Sequence, residues 1–244
     1  MTRTFDNLIL VGRPASGKSE FIDFMEKTPV DERSQVFHIG KFEEVDDYRW
    51  LVEKWKEDDM WEEAGYERLF SSRDNVNYDV KPDKYCLYDM MFAKFNYEIA
   101  KNYLSRPEFY NDGTLLVEFS RGRKDAYKNA LSRLSKEILS KAAILYIKVD
   151  FEESWRRNVK RYEEKLKYSK LAHLVPRETM ERMYSIDDWA ELTDNREAGN
   201  LNINGVSIPF ATMNNDPELT ERKALSERYG KSLDKLSDLY FRRA

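Results

Sequence analysis

Gly12-Arg13-Pro14-Ala15-Ser16-Gly17-Lys18-Ser19 matches the pattern G-x-x-x-x-G-K-[ST] in full. It follows the apolar run Leu8–Val11 directly and precedes a segment carrying Phe21, Ile22, Phe24 and Met25. That placement constrains the chain more than any other feature. The pattern is informative when a buried strand enters the turn and an amphipathic helix leaves it. Gly12 and Gly17 let the backbone turn so that successive N–H groups face inward, and the helix adds the positive end of its dipole. Lys18 then offers a mobile cation to phosphate oxygens, and the Ser19 hydroxyl a ligand for Mg²⁺. The loop and its flank, Gly12, Ala15, Ser16, Gly17, Lys18, Ser19 and Glu20, are therefore the expected contacts of ATP.

The rest of the chain supports an alternating architecture. The first helix is expected to end near Thr28-Pro29, and Gln35–Gly40 reads as a second strand. Thr114–Phe119 reads as a third strand, Ala142–Val149 as a fourth and Val206–Ala211 as a fifth. Tyr127, Leu131, Leu134 and Ile138 share one helical face, and Asp150 stands ahead of a helix from Phe151 to about Lys167. Leu225, Tyr229, Leu233, Leu236 and Tyr240 mark a C-terminal helix. Alternating strands and helices predict an α/β fold with helices on both faces of a parallel sheet. About 73 residues separate the second and third strands, too many for a loop, so residues 42–112 are expected to form a helical insert. Within it Tyr48, Leu51, Val52 and Trp55 fit one helix, and Tyr88, Phe92, Phe95 and Ile99 another.

Composition narrows the function classes. The 244 residues are 41% hydrophobic and 35% charged, with no apolar run long enough to span a membrane. A single cysteine, Cys86, precludes an internal disulfide, and with no secretion signal at the N-terminus a cytoplasmic setting is expected. The net charge of −4 argues against broad nucleic-acid binding. Charge is unevenly spread: Asp31–Glu67 holds 13 acids and 5 bases, whereas Arg121–Lys170 holds 15 bases and 7 acids. Neither N-K-x-D nor D-x-x-G, the elements of guanine-specific switches, occurs. His38 and His173 read as structural or surface residues, and no His/Cys/Asp cluster suggests a tightly held transition metal.

Three further segments point to phosphoryl transfer. Glu118 ends the third strand, where a carboxylate can hold the Mg²⁺ shell, and Arg121 and Arg123 follow at the sheet edge that binds ligands in open α/β folds. Arg157 and Arg161, four apart on one helix, could stabilise the charge on a transferring phosphoryl group; pairing with Glu153 or Glu164 is the alternative. Asp46 or Asp47 could orient or deprotonate an acceptor hydroxyl, or cap the Tyr48 helix instead. Between Phe42 and Phe70 stand seven aromatics, including three of the five tryptophans, which suit a satellite core or a base clamp. Arg68 and Arg73 could reach an acceptor phosphate. The polar stretch Tyr168–Gly199, with Pro176 fit to start a short helix, could close over the site.

With these residues together, the chain resembles the kinase branch of the P-loop NTPases: nucleoside and nucleotide kinases, 5′-polynucleotide kinases and zeta-toxin-like kinases. The resemblance runs from the Gly12–Ser19 loop through Glu118–Arg121 to the Arg157/Arg161 helix and the loop Met213–Pro217. It implies one three-layer α/β/α domain over 1–244, with a five-stranded parallel sheet of order 2-3-1-4-5, the insert between strands 2 and 3, and a lid over 151–200. It also implies that Asn215 lies near the adenine. Glu118 stands where Asp is commoner, and His173–Glu178 with Asp187-Asp188 is closer to the polynucleotide-kinase group than to adenylate kinase. The expected activity is ATP-dependent phosphorylation of a nucleoside, nucleotide, polynucleotide end or small metabolite, with the acceptor and the oligomeric state open. The alternative is an ATP-binding or ATP-hydrolysing sensor whose insert contacts a partner protein.

Overall fold

A computed structural model describes residues 3–74, 77–166 and 174–243. Strand β1 (Asn7–Gly12) leads through the glycine loop into α1 (Lys18–Glu26), followed by α2 (Val30–Phe37) and β2 (Lys41–Asp46). Next come α3 (Asp47–Glu63), a small hairpin of β3 (Ser71–Arg73) and β4 (Tyr78–Val80), and α4 (Cys86–Ile99), which runs on into a π-helical turn at Ala100–Leu104. Then β5 (Gly113–Phe119), α5 (Ala126–Ser132), α6 (Lys136–Ser140) and β6 (Ala142–Lys148) rebuild the alternation. The chain closes with α7 (Phe151–Leu166), α8 (Arg177–Tyr184), α9 (Trp189–Leu192), β7 (Ala198–Ile203), β8 (Val206–Asn214) and α10 (Arg222–Phe241).

The main sheet has the order β2-β5-β1-β6-β8-β7. Its first five strands are parallel, and in chain order they read 2-3-1-4-5, as the resemblance implies. The sixth strand, β7, is antiparallel to β8 and was not expected. Its hairpin turns at Asn204-Gly205, both at positive φ, the dipeptide that favours a tight primed turn.

Both sheet faces are covered. Ile9, Val11, Leu115, Val117, Ile144 and Phe210 pack on one side with Phe92, Phe95 and Ile99 of α4 and with Leu131 and Ile138 of α5 and α6. Leu8, Leu10, Leu116, Leu145 and Ile147 pack on the other with Phe21 of α1, Phe37 of α2 and Tyr229, Leu233 and Leu236 of α10. Each such side chain removed from water contributes about 1.5–3 kcal/mol, which makes the strands around β1 a rigid platform for the loop. A separate small core of Leu51, Trp55, Val80, Leu87 and Met91 holds the insert together.

The second strand lies later than expected. Residues 35–37 end α2 instead, with Arg33 and Phe37 buried one turn apart and His38 closing the helix in the left-handed conformation. The true strand is Lys41–Asp46, an edge strand that tolerates Glu43 and Glu44 because it has one free side. The face Tyr127–Ile138 is split between α5 and α6, with Ser135 accepting from the Ile138 N–H to start the second. Pro176 does precede a short helix, α8. His173 lies outside the described residues.

Candidate active site

The loop is held open by packing from below. A Cβ on Gly12 would come within 2.6 Å of the Ile147 carbonyl and of Ser16 Oγ, and one on Gly17 would overlap the Asn215 side-chain amide. Gly17 has φ 106°, in the left-handed region, and Ala15 has φ 55°. No side chain caps α1, so its first N–H groups are left for a ligand at the loop. Ser16 Oγ is buried and has no hydrogen-bond partner among the described residues.

Several side chains fix this loop from distant parts of the chain. Asn215 Nδ2 donates to the Ser16 carbonyl at 2.8 Å, while Arg228 donates to Asn215 Oδ1 at 2.8 Å. Ser154 Oγ donates to the Pro14 carbonyl at 2.6 Å. Arg13 reaches the carbonyls of Tyr184 at 2.9 Å and Val149 at 3.0 Å and pairs with Asp187 at 3.1 Å. The sequence alone assigns no role to Arg13, Ser154 or Arg228. An arginine at a variable loop position carries no signal until the fold brings Asp187 beside it.

Lys18 Nζ donates to Ser120 Oγ at 2.7 Å and to the Arg13 carbonyl at 3.1 Å, and lies 3.8 Å from Glu118 Oε1. Burial lowers its pKa, only partly countered by Glu118 and Asp46. Glu118 sits opposite Asp46 in the β2–β5 register. Burial pushes the Glu118 carboxyl up to about 7 despite Lys18, helped by Asp46, Glu44 and Asp47. Burial likewise raises Asp46 to about 6. Its side chain accepts from the Tyr48 N–H at 2.8 Å, so the capping role expected for Asp46 is real.

Asp47 is committed elsewhere: its carboxylate is 2.7 Å from Arg121 Nη1. Arg121 also donates to the Ser120 and Tyr88 carbonyls and lies over the rings of Tyr88 and Phe92. Burial works against its charge, but Asp47 together with Tyr184 and Tyr88 outweighs it and holds the guanidinium pKa above its usual value. Arg157 and Arg161 both line a cavity beside the loop, but their partners differ. Arg157 is buried, donating to Glu153 at 2.7 Å and to the Asn215 carbonyl at 2.8 Å, whereas Arg161 donates to Asn158 at 3.2 Å and lines the cavities on both sides of the loop. Arg68 and Arg73 are bound up with Asp59 and Glu62 in the insert and line neither cavity described next.

Two cavities flank the loop and share the rim Ala15, Gly17, Glu20 and Arg161. One, of about 320 Å³, lies between α7 and the segment after β8 and is lined by Phe24, Asn215, Leu219, Leu225 and Tyr229. The other, of about 420 Å³, lies between the sheet edge and the insert. It holds Lys18, Ser19, Asp46, Asp47, Glu118 and Arg121, and Val175, Thr179 and Tyr184 from the 151–200 segment close one wall. The aromatics of the insert divide accordingly: Tyr48 and Trp55 line this cavity, Trp50 packs against the core, and Trp61 and Tyr66 are exposed.

The parallel order 2-3-1-4-5, with the glycine loop at the carboxyl end of its central strand, decides the fold. The chain has a P-loop kinase-like fold. Within this P-loop fold the donor set suits Mg²⁺: a serine hydroxyl and carboxylates are hard oxygen ligands. Among the described residues no group of three or more His, Cys, Asp or Glu could hold a metal by itself, so phosphate oxygens would have to complete its shell. No described helix is long and apolar enough to cross a membrane.

No protein-family model and no curated protein matches the sequence. Solved structures similar to this chain include Kti12 of Chaetomium thermophilum in complex with ADP-AlF3, at TM-score 0.44 and 14% identity over 96% of this chain and 98% of that one. APE1195 is similar at TM-score 0.43 and 13% identity, over 96% of this chain and 97% of that one. A candidate kinase from Chloroflexus aurantiacus is similar at TM-score 0.41 and 12% identity, over 95% and 99%.

Proposed function

We propose that the chain is an ATP-dependent phosphotransferase. The observation that carries this reading is the pair of cavities meeting at one loop rim, because a group-transfer enzyme needs a donor site and an acceptor site in line across the phosphates. The nucleoside of ATP fits the cavity beside Asn215, and the triphosphate crosses the loop amides toward Lys18. The acceptor oxygen attacks the γ-phosphorus as the bond to the β-phosphate oxygen breaks, and ADP leaves. The acceptor proton passes to Asp46, whose raised pKa suits a base working near neutrality. Asp47 orients Arg121 instead, so of the two aspartates Asp46 is the better base. Lys18 and Arg161 balance the charge of the transferring group. Mg²⁺ held with Ser19 and Glu118 would neutralise β- and γ-phosphate oxygens.

A screen of alcohols and phosphorylated acceptors with γ-labelled ATP tests the reading. Label transferred to an acceptor supports it; slow hydrolysis with no labelled acceptor counts against it. The second reading, an ATP-dependent sensor, is favoured by one observation: Met60, Trp61, Tyr66 and Leu69 of the insert are all exposed. Hydrolysis stimulated by a bound protein would support that reading.

A further inference from the structure

The acceptor cavity has a chemical character of its own. Beyond the loop rim the charged side chains among the described residues that line it are Asp46, Asp47, Asp79, Glu118, Lys18 and Arg121. Arg121 is already paired with Asp47 at 2.7 Å and covered by aromatic rings. Lys18 is held by Ser120 and Glu118 at the loop, where the donor phosphates need it. Thr179 and Arg182 both donate to Asp79 Oδ2, at 2.7 and 2.8 Å. Inward of the rim, then, no arginine or lysine among the described residues is left over for an acceptor phosphate, and the carboxylates among them outnumber the cations. A phosphate dianion placed there would be desolvated against like charge.

The remaining wall is aromatic. Trp55 and Tyr78 stack at 5.3 Å with their planes 9° apart, Tyr48 meets Trp55 edge-on, and Tyr88, Tyr184 and Leu51 complete the slot. Asp47, Leu51 and Trp55 are successive i, i+4 positions of α3, so one helix face runs from the carboxylates to the rings. That face spans roughly 12 Å at about 1.5 Å per residue, room for a ring with a hydroxyl-bearing arm.

We propose that this cavity takes a non-phosphorylated alcohol joined to a planar heteroaromatic ring, a nucleoside or a compound of that chemistry, and discriminates against acceptors that already carry a phosphate. The proposal rests on the phosphotransferase reading above. The acceptor hydroxyl oxygen forms the new bond to the γ-phosphorus, its proton goes to Asp46, and ADP departs with the electron pair of the broken bond.

The test uses the full chain with Mg²⁺ and γ-labelled ATP. Ribo- and deoxyribonucleosides are compared with their 5′-monophosphates and with ring-free neutral and cationic alcohols, and calorimetry on the same sample reports ATP binding. The expected result is a nucleoside whose kcat/KM exceeds that of its monophosphate at least tenfold and that of every ring-free alcohol by a similar factor. A monophosphate or a ring-free alcohol as the best acceptor overturns this inference and leaves the phosphotransferase intact. ATP binding with no labelled acceptor overturns both the inference and the phosphotransferase reading, and absence of ATP binding removes the nucleotide site itself.

Discussion

Arg13, the second residue of the phosphate loop, is ion-paired at 3.1 Å with Asp187, which follows α8, a helix that walls the cavity beside the insert. The same carboxylate accepts from Tyr146 Oη at 2.9 Å and from the Trp189 N–H at 3.0 Å. The pair therefore ties the loop to β6 and to the segment that follows α8.

Removing only the cation should be costly, because Asp187 would stay buried with its charge uncompensated. Arg13→Met is expected to lower unfolding free energy by about 2–4 kcal/mol in urea titrations. Arg13→Met with Asp187→Asn should recover at least half of that loss. A single variant as stable as the parent would show the pair to be incidental.

The buried carboxylates beside Lys18 set a pH dependence. In the folded chain Glu118 keeps its proton up to about pH 7, whereas an unfolded glutamate releases it near its ordinary value of 4.5. Between those values the folded state binds more protons, so stability falls as pH rises through the window and levels off above it. Asp46, raised to about 6, acts in the same direction. Glu118→Gln is expected to stabilise the ligand-free chain by about 1–3 kcal/mol at pH 8 and by much less at pH 5. It should also abolish transfer. Thermal unfolding at both pH values checks this, and a Glu118→Gln chain less stable than the parent at pH 8 would contradict it.

The insert hangs on one acid. Asp58, fully buried, accepts from the N–H groups of Leu69, Phe70 and Ser71 at 2.8, 3.0 and 2.6 Å and from Ser71 Oγ at 2.7 Å. Burial would raise its pKa, but the Ser71 hydroxyl and these amides outweigh it and hold it below the ordinary value. Its stabilisation is therefore present above the unfolded pKa and lost as pH falls toward the folded one. Asp58→Ala leaves those donors unsatisfied and should cost about 3 kcal/mol. Loss of hydrogen-exchange protection in β3 and β4 ahead of the main sheet would locate the damage.

What the sequence discloses and what it hides follow from where the information lies. The glycine loop is legible because its conformation admits few residues, and Gly17 at φ 106° is one that needs glycine. The central strands are legible because a strand buried on both faces is apolar throughout. Residues 35–40 mislead because Val36, Phe37 and Ile39 also suit the end of a helix, while the real edge strand carries Lys41, Glu43 and Glu44. The sheet's sixth strand is signalled by Asn204-Gly205 between Ile203 and Val206, but it begins where the polar stretch Tyr168–Gly199 ends and buries only Leu201 and Ile203, too short an alternation to stand out. Asp47 with Arg121 and Arg13 with Asp187 cannot be read at all, since each pair meets only when distant elements share the sheet's carboxyl edge.

Calorimetry of Mg²⁺-ATP binding, paired with thermal unfolding, bears most directly on the phosphate loop. The native chain should release or absorb measurable heat and melt higher by roughly 5–10 °C with ligand about a hundredfold above its dissociation constant. Lys18→Ala should lose most of that shift. No heat and no melting shift at millimolar Mg²⁺-ATP would contradict the assignment of this loop as a nucleotide site.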